Sequence, residues 1–290
     1  MEHRNVTNKE DRFVRAQQAR AESISGSGSL RFANRNVLVT GAARGIGAAI
    51  ATQFVREGAR VVGVDLDAAG LESLQGRVGD LPGSFSPLVA DITEVNIHPD
   101  IVANASQGEA LDVLVNNAAV FLLDGPSATE YQWARTMDVN LVAPAKLTAA
   151  AVSALAQSRH AAVVNIASIS GHVAGSLRWT YNAAKGGVLA LTKCQALDLA
   201  RDRIRVNSVS PGYTWTDVLD RSVGGNRDEW DPIYGAFGMM NRCAEPAEIA
   251  TAVAFLASDD ASFITGTDLL VDGGLVGMSP DGHHDFKFES

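Results

Sequence analysis

Cysteine is almost missing from this chain: only Cys194 and Cys243 occur in 290 residues. Two isolated thiols supply neither a disulfide framework nor the paired spacing of a zinc site, so a reducing cytoplasm is the expected compartment and no metal centre is expected. Long apolar runs are missing too. None reaches the ~18–20 residues of a membrane span, and the charged N-terminus lacks the apolar stretch of a secretory signal. No membrane partner is therefore expected. Positive charge is in deficit, with 24 Lys and Arg against 33 Asp and Glu and a net charge of -9. That balance argues against nucleic acid as a partner. No internal repeat is present.

What the chain does have is alternation. Apolar runs near residues 37–39, 61–64, 86–90, 112–116, 162–167, 204–209 and 268–272 are separated by helical stretches. Together with a hydrophobic content of 46%, this pattern predicts an α/β fold. The expected form is a Rossmann-type doubly wound parallel sheet of about seven strands, with helices on both faces. A single domain over residues 35–278 is long enough to bury its core. Residues 1–34 form a polar extension that ends in the linker-like Ser25-Gly26-Ser27-Gly28-Ser29. Within it, Glu10 to Glu22 suits either a mobile arm or a helix packed on a neighbouring subunit. Residues 279–290 form a polar tail whose His283 and His284 project apart in most backbone conformations, so no metal is assigned to them.

The first strand, Val37-Leu38-Val39-Thr40, runs into Gly41-Ala42-Ala43-Arg44-Gly45-Ile46-Gly47, and a helix follows from Ala48. Strand, glycine turn and helix together aim backbone N–H groups and a helix N-terminus at a pyrophosphate. Gly41 permits the tight turn; Gly45 and Gly47 permit close approach. The second strand ends at Asp65, next to Leu66, where an acid is placed to hold the adenine ribose hydroxyls. A carboxylate there repels a 2′-phosphate. Arg44 points the other way, since a guanidinium in the loop can reach such a phosphate. Arg44 can swing into water, whereas Asp65 cannot leave its place, so NAD is expected rather than NADP.

Tyr181 and Lys185 stand four apart on a helix and so share a face; Ser168 precedes Tyr181 by thirteen residues. A free phenol titrates near ~10, and a nearby cation favours the phenolate. The pair can thus act as a general acid/base near neutral pH.

These residues resemble the short-chain dehydrogenase/reductase family over roughly Arg35 to Gly274. Thr40 to Gly47 is similar to its T-G-x-x-x-G-x-G loop, and Ser168 with Tyr181 and Lys185 to its Ser and Y-x-x-x-K. Asp91-Ile92 stands where the family places an acid beside the adenine. Asn116-Asn117-Ala118-Ala119 resembles its N-N-A-G segment, with Ala in the last place. Asn140 matches the family's active-site Asn. The segment with Pro211, Gly212, Thr214 and Thr216 resembles the one that closes over the nicotinamide, and Val271 to Gly274 the family's last strand. The resemblance implies a hydride transfer in which Ser168 holds the substrate oxygen and Tyr181 carries the proton. Lys185 would then serve both the phenolate and the nicotinamide ribose, and Asn140 would hold a water in a proton relay.

The expected substrate is a secondary alcohol or its ketone, a polyol or a cyclic compound. An NADPH-dependent 3-oxoacyl-thioester reductase and a non-catalytic dinucleotide-binding regulator are the alternatives. Residues 213–240, with Trp215, Trp230, Tyr234, Phe237, Met239 and Met240, are a substrate lid or a subunit contact. His172 and Arg178 are surface or interface residues, or polar contacts for the substrate. A homotetramer is expected, with Ala183, Ala184, Gly187 and Ala190 allowing helices to approach across a two-fold axis.

Overall fold

The computed structural model describes residues 30–279 and Gly282. Glu10–Glu22, the Ser/Gly linker and His283-His284 lie outside the described residues. The apolar runs form seven strands: β1 Asn36–Thr40, β2 Arg60–Asp65, β3 Ser84–Val89, β4 Val113–Asn116, β5 Ala162–Ile166, β6 Arg205–Pro211 and β7 Asp268–Val271. They lie in the order β3-β2-β1-β4-β5-β6-β7, and every neighbouring pair is parallel. Pro87 sits in β3, an edge strand, where a missing N–H costs no central ladder bond.

Successive side chains of a strand point to opposite faces, and here both faces are covered. Val37 and Val39 of β1 pack with Ile50 and Phe54 of α1 (Gly45–Arg56), Leu71 and Leu74 of α2 (Ala68–Val78) and Ile249 and Val253 of α9 (Pro246–Ala257). Leu38 points the other way. It joins Ile101 of α3 (His98–Ser106), Leu147 and Leu155 of α5 (Ala143–Leu155) and Ala196 of α6 (Trp179–Leu199). The remaining helices are α4 (Glu130–Met137), α7 (Asp217–Ser222) and α8 (Arg227–Gly235). Among the described residues no helix is long and apolar enough to cross a membrane.

The domain begins earlier than the composition suggests. Phe32 is fully buried and meets Phe54 edge-on, with ring centres 4.7 Å apart. Its amide donates to the Glu57 carbonyl, and the Arg31 guanidinium binds the Glu57 carboxylate at 2.6 Å. Residues 30–34 therefore belong to the packed unit. One aromatic in a polar stretch has no periodicity to reveal it.

Strand order reverses between β1 and β4, which lie side by side although β2 and β3 intervene in the chain. Their C-terminal ends open a crevice there, where doubly wound sheets place ligands.

Candidate active site

The turn after β1 is built on glycine by steric necessity. Gly41 has φ +66°, and a Cβ there would lie 2.8 Å from the Ala118 Cα. A Cβ on Gly47 would run into the Gly41 carbonyl oxygen and Asn117 Nδ2, deep inside contact distance. The first turn of α1 thus rests directly on the loop. Arg44, at the N-cap of α1, has extended backbone and caps nothing with its side chain. The first N–H groups of α1 are left for an anion, as a pyrophosphate site requires. These residues fit a dinucleotide phosphate.

Asp65 closes the outer side of the loop. Its carboxylate accepts from the amides of Ala43 and Asp67, each at 3.0 Å. A carboxylate has about four acceptor positions, so two of these bonds leave room for ribose hydroxyls. Arg44 is half-exposed and pairs with Asp67 at 3.8 Å. Beside this pair lies a cleft of about 490 Å³ between Arg44, Asp67 and Arg77 on one side and Asp217, Asp220 and Arg221 of α7 on the other. Leu66 is exposed at the end of β2.

Asp91 follows β3 and carries more bonds than expected. It accepts from the amide and hydroxyl of Thr93 at 2.9 and 2.8 Å and pairs with Arg135 of α4 at 3.3 Å. Burial opposes its ionisation, but the Thr93 hydrogen bonds and the Arg135 charge together outweigh that and hold the carboxyl below its usual range. Ile92 is buried next to it, its carbonyl bonded to buried His98 at 2.7 Å. The Arg135 pair was invisible in the sequence, because its members come from separate elements.

Asn117 holds the two crevice walls together. Its side-chain amide donates to the carbonyls of Thr40 and Gly41 at 2.9 and 3.0 Å, while the Thr40 hydroxyl accepts from the amides of Asn117 and Ala118. Asn140 lies in a π-helical turn, Asp138–Val142. Such turns are rare and concentrate at functional sites. Its amide makes a reciprocal pair with the Val120 backbone, at 2.8 and 3.0 Å. It thereby fixes the strand-end segment that carries Ala118, Ala119 and Phe121. Behind it runs a buried polar chain: Asn116 donates to Thr148 and Asn165, and Asn165 to Thr192 and Gln195. Sequence reasoning missed this chain, since its members belong to different elements.

Ser168, Tyr181 and Lys185 are brought together and buried. The Ser168 Oγ accepts from the Ser170 amide at 3.1 Å and stands near enough to the Tyr181 hydroxyl to favour its ionised form. Burial pushes the Tyr181 phenol above its ordinary value; the Ser168 hydroxyl and the Arg178 charge work against that rise. Phe121 stacks on the Tyr181 ring at 4.5 Å. Lys185 Nζ lies 5.7 Å from the centre of that ring and donates to the Ile166 carbonyl at 2.6 Å. Arg178, the N-cap residue of α6, adds a cation that the sequence reading did not assign to the phenol. Burial strips the Lys185 ammonium of water and pushes its pKa down to about 8.

This shift has a measurable consequence. A lysine titrating near 8 when folded and near ~10.4 when unfolded gives the unfolded chain the higher proton affinity between those values. Stability rises with pH across that window, and the charged form is a burden below it. Denaturant titrations of the parent and Lys185→Met at pH 7 and pH 10 test the sign. The parent is expected to gain about 2–3 kcal/mol relative to the variant over that interval. An unchanged difference would mean that Lys185 is not desolvated.

The segment after β6 lies over the glycine loop. The Gly212 amide donates to the Val271 carbonyl at 3.0 Å, and Thr214 Oγ1 donates to the Gly212 carbonyl at 3.2 Å. Thr216 caps α7, and its Cγ2 stands 3.5 Å from where a Gly45 Cβ would lie. Trp215 is buried beneath Arg227, whereas Phe237, Met239 and Met240 are about half-exposed. Tyr213 packs on Tyr234 and Phe237, with ring centres at 4.8 and 5.6 Å. Arg178 lies 6.0 Å from the Tyr213 ring centre. His172 instead turns to β7 and meets Asp268 at 2.9 Å.

Comparison with known proteins follows the same outline. A family model described as enoyl-(acyl carrier protein) reductase matches residues 41–276. L-fucose dehydrogenase of Mus musculus is 39% identical, covering 84% of this chain and 90% of its own. The 3-oxoacyl-(acyl-carrier-protein) reductase of Thermotoga maritima is 34% identical over 85% of this chain and all of its own. The solved aldohexose dehydrogenase of Thermoplasma acidophilum superposes with a TM-score of 0.77 at 32% identity, covering 86% of this chain and 96% of that one.

Proposed function

The chain belongs to the short-chain dehydrogenase/reductase family, and from that premise we propose that it is an NAD-dependent dehydrogenase of secondary alcohols, among them polyols and cyclic alcohols. The observation that carries this reading is the buried Tyr181, beside Ser168 and one helical turn from Lys185. A non-catalytic regulator has no need of that arrangement. In the oxidation direction Ser168 Oγ holds the substrate hydroxyl, and Tyr181 as phenolate accepts its proton at Oη. A nicotinamide held here would supply the acceptor for the hydride of the carbinol carbon, with the ketone as product. Lys185 would support the phenolate and hydrogen-bond the nicotinamide ribose, and Asn140, which is paired with the Val120 backbone, would hold a water in a proton relay. A positioned acid/base of this kind contributes roughly 10²–10⁴-fold.

The glycine loop from Gly41 to Gly47 would receive the pyrophosphate, Asp65 and Leu66 the adenine ribose, and Asp91 with Ile92 the adenine. Asn117, Ala118 and Ala119 would line the ribose of the nicotinamide, with Pro211, Gly212, Thr214 and Thr216 over it. Two observations favour NAD. Asp65 is tied into the loop by two backbone amides. The neighbouring cleft balances three arginines with three aspartates, so it offers no excess positive charge to a 2′-phosphate. The parent is expected to prefer NAD in kcat/KM, and Asp65→Ser to narrow the preference at least about tenfold, the equivalent of one hydrogen bond to a charged group. A parent that prefers NADP would shift the assignment to Arg44 and favour the thioester-reductase reading, which the Thermotoga relative also represents. Against that reading stands the net charge of -9, which suits an acidic carrier protein poorly.

A homotetramer is part of the proposal. Of the four small residues expected at a helix contact, Ala184 is buried inside the domain, and a Cβ on Gly187 would lie 2.8 Å from Leu141. Both face the chain's own core. Ala183, Ala190 and Leu197, seven residues apart in turn, remain exposed on α6. Tyr131 and Trp133 on α4 are exposed too, as are Phe255, Phe263 and Leu270. Exposed apolar side chains on several elements suit the interfaces of a symmetric tetramer. Light scattering at micromolar concentration is expected to give four times the chain mass; a monomer would refute this assembly.

A further inference from the structure

One charged side chain beside Tyr181 has hydrogen-bonding capacity to spare beyond its effect on the phenol. Arg178 is the N-cap residue of α6, at the entry to the helix that carries Tyr181, and its charge acts on the Tyr181 phenol. Arg31, Arg135, Arg227 and Arg242, all half-buried, each meet a carboxylate. Arg178 has no carboxylate partner among the described residues. Its one hydrogen bond is a long one, from Nη1 to the Ser170 hydroxyl at 3.4 Å. A guanidinium has five N–H donors, so most of its capacity is free. The loop makes space for it: a Cβ on Gly175 would lie 2.5 Å from the Arg178 Cδ. Tyr213 flanks the guanidinium and Phe121 covers the Tyr181 ring, so apolar surface borders the charge.

We propose that the alcohol oxidised at Tyr181 carries a carboxylate, which Arg178 holds with two parallel N–H bonds while the Ser170 hydroxyl supplies a third contact. Planar, two-pronged donation to a carboxylate is what a guanidinium does best. The guanidinium reaches the Ser170 hydroxyl, and the Ser170 amide is bonded to Ser168 Oγ, so the carboxylate and the carbinol are separated by a short carbon skeleton. The substrate class is a compact hydroxy acid, with the corresponding keto acid as product. This inference rests on the alcohol-dehydrogenase reading and makes Arg178 its specificity-determining residue.

The test uses matched pairs: 3-hydroxybutyrate, 4-hydroxycyclohexanecarboxylate and gluconate, each against its neutral carboxamide, with NAD and the full-length protein. In the parent, the best acid is expected to exceed its amide in kcat/KM by about 10- to 100-fold, the range of a charge-assisted hydrogen bond. Arg178→Met should erase that advantage, mainly through KM for the acid. Any effect of the Arg178 charge on Tyr181 itself lowers acid and amide alike and cancels in the ratio. Arg178→Gln keeps a donor for Ser170 without the charge and serves where the Met variant fails to fold. Oxidation of the amides as well as the acids, or an acid preference that survives both variants, overturns the carboxylate and leaves the dehydrogenase intact. No turnover of any acid, amide or simple secondary alcohol by a parent that binds NADH overturns both.

Discussion

Tyr181→Phe is expected to bind NADH as the parent does and to lose turnover by about 10²–10⁴-fold, the range of a positioned acid/base. The substitution keeps the ring that Phe121 stacks on and removes only the hydroxyl that faces Ser168. The glycine loop, Asp65 and Asn117 are untouched, so cofactor affinity is preserved and the loss falls on kcat. Some rate over the uncatalysed reaction remains, because the two reactants are still held together. A pH–rate profile adds a second readout. Burial holds the Tyr181 phenol up while Arg178 and Ser168 pull it down. Replacing Arg178 therefore raises the pKa further, and oxidation should fail below a higher pH than in the parent. Fluorescence titration with NADH and steady-state rates on any accepted alcohol check both points. Near-parent turnover in Tyr181→Phe would sink the mechanism whatever the fold.

Much of this site was legible because its determinants are local. The β1 run, the turn at Gly41 and the first turn of α1 are contiguous, and their chemistry follows from backbone sterics. Tyr181 and Lys185 share a helix, so their spacing alone puts them on one face. The gaps come from partners remote in sequence. No pattern around Asn116 announces Thr148 or Asn165, and nothing near Asp91 announces Arg135. Phe32 offers one aromatic where periodicity needs several. The same limit explains Ala184 and Gly187: composition shows that α6 has small residues, but only the packed sheet and the π-helical turn at Asn140 decide which of them face inward. Charge is the least legible property. Tyr181 and Lys185 suggest an ion-supported phenol, whereas burial moves the phenol up and the ammonium down, and Arg178 at the N-cap of α6 adds a further cation.

Gly47→Ala is expected to be the most damaging single methyl in the crevice. The added Cβ would collide with the Gly41 carbonyl oxygen and with Asn117 Nδ2, which are themselves joined by a 3.0 Å hydrogen bond. Neither atom is free to move aside. The backbone oxygen is fixed by the turn, and the amide also holds Thr40. Relief requires α1 to lift off the loop, which spreads the N–H groups that converge on the pyrophosphate. Overpacking costs about 1–3 kcal/mol, a Tm loss on the order of several degrees for a domain of this size. NADH affinity should fall at least about 100-fold, since a ligand of this kind depends on several backbone contacts made at once. Gly45→Ala is the internal control. Its φ of +55° carries a strain of about 1–2 kcal/mol for alanine, but its Cβ would meet only Thr216 at an ordinary 3.5 Å. It should melt slightly below the parent and still bind NADH measurably. Thermal melts and NADH titrations of the two variants side by side separate strain from collision. If Gly47→Ala binds NADH like the parent, the dinucleotide does not sit on this loop, and the crevice assignment falls with it.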